Sequence, residues 1–85
     1  MRPLLLICYP MLTTLIHADH AKLFGANLRR LRSKDGWSQQ SLATECGLYR
    51  TYISRLENGM ANPTLSVIVT LAHHLGVDPY MLLKR

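Results

Sequence analysis

Residues 38–59 read SQQSLATECGLYRTYISRLENG, and this stretch decides the fold. Ser38 stands just ahead of a short apolar-periodic run. It is an N-cap, because its hydroxyl can accept from a backbone N–H that the first helical turn leaves unpaired. Ser41 occupies the place from which Glu or Gln would reach back, so only half of a capping box is expected. Leu42 and Ala43 face inward from a helix over 38–46. Gly47 supplies the left-handed turn that few other residues tolerate. A second helix follows over 49–58 and ends at Gly59.

The pattern extends in both directions. Upstream, Phe24, Leu28 and Leu31 recur at i, i+4 and i+7, the spacing of an amphipathic helix. Its other face carries Lys22, Arg29, Arg30 and Lys34, and Gly36 stops it. Downstream, residues 60–63 form a loop and Thr64 caps a helix to Leu75. Its apolar stripe is expected to be Leu65, Ile68, Leu71, Ala72 and Leu75. Gly76 closes it, and Asp78-Pro79 opens a last short helix, since proline suits the first helical position. No part of 21–85 reads as a strand. The expectation is an all-α fold, with five helices in residues 21–85 and an apolar extension over residues 1–20.

That extension is almost wholly apolar over 4–16, broken by Pro10 and the pair Thr13-Thr14. Arg2 ahead of it gives a superficial likeness to a signal peptide. Pro10 interrupts the run, however, and no small-x-small cleavage site stands near Ala18. Roughly thirteen residues also fall short of the about twenty that span a bilayer. Two readings stay open: an arm packed on the domain or on a partner subunit, or an upstream extension with Met11 as the start.

Composition narrows the function classes. Eighty-five residues, 48% of them hydrophobic, form one domain with a modest core. A formal net charge of +5 favours a polyanionic partner. Cys8 and Cys46 make neither a disulfide framework nor a Cys-rich metal set, and read as reduced thiols in a cytoplasm, with Cys46 a small core residue. Of the four histidines, only His17-x-x-His20 has suggestive spacing, and nothing completes a four-ligand site. No metal or cofactor is expected. Asp19, Asp35, Glu45, Glu57 and Asp78 are scattered, and no nucleophile–base pair or phosphate loop occurs, which argues against an enzyme.

The helix over 49–58 divides cleanly on a wheel of about 100° per residue. With Arg50 at zero, Ser54 falls near 40°, Thr51 near 100° and Arg55 near 140°, by the same rule. Tyr49, Tyr52, Ile53 and Leu56 share the opposite side. One face thus suits a core and the other suits DNA: arginine bridges guanine O6 and N7, and the threonine methyl meets a thymine methyl. A helix, a tight turn and such a second helix make a helix-turn-helix, whose second helix can enter the major groove. A surface helix with two solvated arginines is the alternative from the wheel alone.

Several signals fall together: Ser38 to Ala43, Gly47, Tyr52 to Gly59, Asn62-Pro63-Thr64-Leu65, and Leu71 to Val77. In this combination residues 23–83 resemble the Cro/repressor-type helix-turn-helix regulators of phages and bacteria. The resemblance implies a compact, five-helix, repressor-like DNA-binding domain. It implies base reading by Arg50, Thr51 and Arg55, with Ser54 at their edge. Gln39 resembles the family glutamine that contacts a phosphate and braces the recognition helix, and Asn58 matches the backbone-contacting segment. Arg29, Arg30 and Lys34 are assigned to field or phosphate attraction, with Arg30 counted among the backbone-contacting residues. Tyr49 stands where the family has a Ser or Thr cap; its phenol cannot make that cap, but its hydroxyl can reach a phosphate. Arg32 and Glu57 resemble the pair tying the first helix to the end of the third, a structural role. Val77, Tyr80, Met81 and Leu82 are the implied dimer interface.

The leading expectation is a sequence-specific regulator that binds a double-stranded DNA operator as a homodimer, with no membrane partner. It resembles stand-alone members such as Cro-like repressors, controller proteins and small antitoxins. The alternative, of a different class, is an interaction module that sequesters a partner protein, with residues 1–20 as its binding surface.

Overall fold

The computed structural model describes the backbone from Arg2 onward and the side chains from His17 onward. Four α-helices, α1 (Arg2–Lys34), α2 (Gln39–Cys46), α3 (Arg50–Glu57) and α4 (Leu65–Leu75), precede one 3-10 turn, Pro79–Leu82. The helix expected from residue 21 runs back to Arg2 without a break. The apolar run over 4–16, including Cys8, has its side chains outside the described residues.

The expected fifth helix is therefore a single 3-10 turn. Met81 N–H donates to the Asp78 carbonyl and Leu83 N–H to that of Tyr80, both at 2.9 Å, closing tight i to i+3 turns. The carbonyls of Leu82 and Lys84 are taken sideways by the Asn27 side chain, at 3.0 and 2.9 Å. With those acceptors occupied, the segment is tied to α1 instead of winding onward.

The core is built where the apolar spacings converge. Phe24, Leu28 and Leu31 of α1 meet Leu42 and Ala43 of α2, Ile53 and Leu56 of α3, and Leu71, Ala72 and Leu75 of α4, with Leu82 closing the end. Three details depart from the sequence pattern. Ser41 completes the capping box, its hydroxyl accepting from Ser38 N–H at 2.9 Å while Ser41 N–H donates to Ser38 Oγ at 2.9 Å. A serine hydroxyl reaches as far as the geometry requires, so the longer Glu or Gln is dispensable here. Leu65 is 75% exposed, because it sits in the first turn of α4 at the edge of a stripe centred on Ile68, Leu71 and Leu75; Val67 packs in its stead. Leu82 is fully buried and so lies in the core rather than on a dimer surface.

The turn between α2 and α3 is fixed by Gly47, at φ 69° and ψ 30°. Leu48 N–H donates to the Ala43 carbonyl and Gly47 N–H to that of Thr44, at 2.9 and 3.3 Å, a Schellman closure that requires the left-handed residue. Gly25 serves a different end. A Cβ there would stand 2.4 Å from the Leu56 carbonyl oxygen and 2.7 Å from that of Glu57, so its lack of a side chain lets α1 lie directly against the end of α3. Gly25→Ala is expected to lower stability by about 1–3 kcal/mol through overpacking. Thermal unfolding checks this: an unchanged melting temperature would mean that the helices separate without cost.

Candidate nucleic-acid interface

α3 begins without a side-chain cap. Tyr49 has extended backbone at φ −83° and ψ 144°, makes no capping bond, and is 83% exposed. The wheel put its ring on the core side; because Tyr49 precedes the first helical residue, its ring does not follow the helical register and points outward. Ile53 and Leu56 are buried, and Tyr52 packs partly against the core. Arg50 and Thr51 are exposed and have no partner among the described residues, while Ser54 is half-buried beside them. Arg55 is exposed, and its Nη2 donates to the Met60 carbonyl at 3.0 Å, bracing the loop after α3. A guanidinium carries five N–H donors, so this bond leaves most of them available.

The other end of α3 is held by one carboxylate. The Glu57 side chain has no solvent exposure. Arg32 donates through Nε to Oε2 and through Nη2 to Oε1, the latter at 3.0 Å, and its Nη1 donates to the Trp37 carbonyl at 2.7 Å. Gln39 Nε2 donates to Oε1 at 3.0 Å and Arg29 Nε to the same oxygen at 3.4 Å. Three helices meet on two oxygen atoms. Burial by itself would raise the Glu57 pKa, but the hydrogen bonds from Arg32, Gln39 and Arg29 and the Arg32 charge outweigh it. The carboxyl is held below its ordinary value.

Sequence reasoning placed Arg29 on the outer face of α1, as a source of field or phosphate attraction. Its Nη2 in fact also reaches Asn58 Oδ1, at 3.5 Å, so it links α1 to the residue that ends α3. The signal was present as an i, i+3 spacing with Arg32, which puts both on one side of α1. Asn27, buried within the apolar stripe of α1, was missed as well; its Oδ1 accepts from Arg30 Nη2 at 3.2 Å. Of the expected interface residues, Tyr80 is exposed, whereas Val77 and Met81 are half-buried against the core.

Elsewhere the described residues offer little chemistry. Burial, and then Glu45, push the Cys46 thiol up, and its side chain packs partly against the core. No group of three or more His, Cys, Asp or Glu that could hold a metal occurs among the described residues. Among those residues, no helix is long and apolar enough to cross a membrane.

A helix-turn-helix domain family model matches residues 23–82. A hypothetical transcription factor of Neisseria meningitidis is 49% identical over 65 residues, which cover 76% of this chain and 61% of that protein, so the chain spans less than two thirds of it. Control protein C.BamHI of Bacillus amyloliquefaciens is 48% identical over 62 residues, covering 72% of this chain and 76% of that protein. The fold superposes on the restriction-modification controller protein C.AhdI of Aeromonas hydrophila with a TM-score of 0.71 at 40% identity, covering 73% of this chain and 94% of that one. For the crystal structure of the Neisseria transcription factor the TM-score is 0.75 at 43% identity, covering 80% and 78%.

Two outcomes test the Glu57 cluster. Arg32→Ala leaves a buried carboxylate without its main partner and is expected to cost about 3–5 kcal/mol, read from denaturant unfolding. Because Glu57 has a depressed pKa in the folded state, its contribution is complete above the unfolded value of 4.5 and is lost as pH falls through the lower folded value. The stability gap between wild type and Glu57→Gln should therefore narrow on acidification below that value. A gap independent of pH would show that the charge of Glu57 contributes nothing.

Proposed function

The chain belongs to the helix-turn-helix family of DNA-binding transcriptional regulators, and from that premise we propose that α3 reads one half of a two-fold operator while a second copy reads the other. One observation carries this reading. α3 turns Arg50, Thr51, Ser54 and Arg55 to one open side while Glu57 holds its far end against α1 and α2. Arginine and threonine supply the donors and the methyl that recognise base edges, and a helix fixed at one end presents them at constant depth. Gln39, at the start of α2, and Asn58, at the end of α3, are the backbone-contacting residues in this arrangement, together with Arg30 and the exposed Tyr49.

Pairing follows from the size of the reader. A short helix touches too few bases for useful specificity, and a dimer doubles the readout with half-sites about 34–36 Å apart. Tyr80, with Val77 and Met81 beside it, forms the interface. The similarity to control proteins supports a regulator of the controller type, working in the cytoplasm where its DNA lies. The family is one of regulators rather than enzymes, and no catalytic role is assigned.

Binding-site selection from random duplexes gives the operator on which the assignments are tested. Arg55→Ala is expected to cost about 1–3 kcal/mol per half-site and to relax preference at one base pair. Arg30→Ala should weaken operator and scrambled DNA alike. Melting curves accompany both, because Arg55 also braces Met60. Equal weakening of both DNAs by Arg55→Ala, with loss of specific binding alone in Arg30→Ala, would remove α3 as the reader. Sedimentation should show a dimer that Tyr80→Asp dissociates; a strict monomer at micromolar concentration, with and without DNA, would overturn the pairing.

A further inference from the structure

A cleft of about 460 Å³ opens between α1 and the C-terminal end of α3, lined by Lys22, Ala26, Arg29, Arg30, Ser33 and Asn58 with Glu57 at its back. Lys22, Ala26, Arg29 and Ser33 follow one another at three- and four-residue steps, so they form a single strip along α1. The small Ala26 side chain leaves room between the cations on either side. Glu57 is the one acid in the lining, and Arg32 already offsets its charge. Lys22, Arg29 and Arg30 therefore leave the cleft strongly positive.

Two of those cations are held in place before any ligand arrives. Arg29 is oriented by Glu57 and Asn58, and Arg30 by the Asn27 side chain. Arginines fixed in this way lose little rotamer freedom on meeting an oxyanion, and their fork geometry suits phosphate. Ser33 and Asn58 add a hydroxyl and an amide at the wall. We propose that this cleft seats a phosphate of the DNA backbone bordering the groove that α3 enters, with Lys22 and Arg29 as additional phosphate ligands.

The inference rests on the reading of α3 as the recognition helix, and geometry connects the two. Asn58 lies eight residues beyond Arg50, about 12 Å along a helix axis. On the wheel it falls near 80°, between Ser54 and Thr51, so it continues the open face. The major groove is about 12 Å wide. When Arg50 and Thr51 reach base edges, the Asn58 end of α3 stands at the wall of the groove, where the phosphates are. The α1 strip then lies against the sugar–phosphate strand.

Lys22→Gln is the informative substitution, because Lys22 is exposed and Gln keeps the Cγ that lies beside Gly59. Affinity for the selected operator and for a mixed-sequence duplex is measured across a salt series, beside Arg55→Ala. Each seated phosphate adds about 0.9 to the slope of log affinity against log salt. Lys22→Gln is expected to lower that slope by close to this amount on both DNAs. Between about 50 and 200 mM salt its affinity should fall roughly 3.5-fold less than that of wild type. Its melting temperature and its preference for the operator should stay as they are. Lys22→Glu should weaken both DNAs further. Phosphate ethylation interference should lose one position in Lys22→Gln. An unchanged slope and interference pattern on a wild type that binds DNA would overturn the proposal. So would an unchanged slope together with Lys22-dependent stabilisation by inorganic phosphate, which would assign the cleft to a free anion. Failure of the α3 reading is seen separately, as full operator preference retained by Arg55→Ala.

Discussion

A buried carboxylate at the end of a short helix governs how this domain is assembled. α3 has eight residues and no side-chain cap at its start, so its own hydrogen bonds supply little to fix it. Glu57 compensates by gathering donors from α1 and α2. A charge placed there without those donors would be strongly unfavourable. With them, the three helices share one arrangement in which every group is satisfied, and no buried polar side-chain atom among the described residues lacks a partner. The buried network specifies orientation as well as adding stability. It sets the depth and angle at which Arg50, Thr51, Ser54 and Arg55 stand.

α1 connects this network to the rest of the molecule. One side of it brings Arg29 and Arg32 to Glu57, and Gly25 lets its backbone touch the last turn of α3. A few residues away, Asn27 holds the carbonyls of Leu82 and Lys84. α3 and the C-terminal turn thus refer to the same rigid element. An interface built on Tyr80 would transmit its geometry to α3 through α1, which is what a fixed spacing between two half-sites requires. Arg30, steered by Asn27, lies between the two connections.

Much of the fold was legible because it follows from local rules. The glycine turn at Gly47, the caps at Ser38 and Thr64, and the apolar spacing of Phe24, Leu28 and Leu31 each depend on neighbours within a turn or two. Where reading failed, distance or context was the reason. Leu65 carries the right residue type for its stripe, but in the first turn of α4 it is Val67 and Ile68 that face the core. Leu82 was grouped with Val77, Tyr80 and Met81 as an interface residue by the resemblance, yet the turn that Asn27 secures folds it inward. The half capping box was underestimated because a serine hydroxyl was compared with longer side chains rather than with the gap it must cross.

The open face of α3 was visible on a helical wheel, since facing within one helix is a property of sequence alone. The sequence by itself therefore determined α2, α3, α4 and α1 from residue 21 onward, the turn that joins α2 to α3, and which residues of α3 stand away from the core. It did not determine that α1 runs back to Arg2 or that the expected fifth helix is a 3-10 turn. Tertiary structure alone decided that Arg29 belongs with Glu57 and Asn58, that Asn27 serves the C-terminus, and that Lys22, Arg29 and Arg30 line one cleft. Periodicity fixes direction around a single axis. Which cations converge depends on how two axes cross, and that is set by long-range packing at Gly25 and Glu57 that no local pattern encodes.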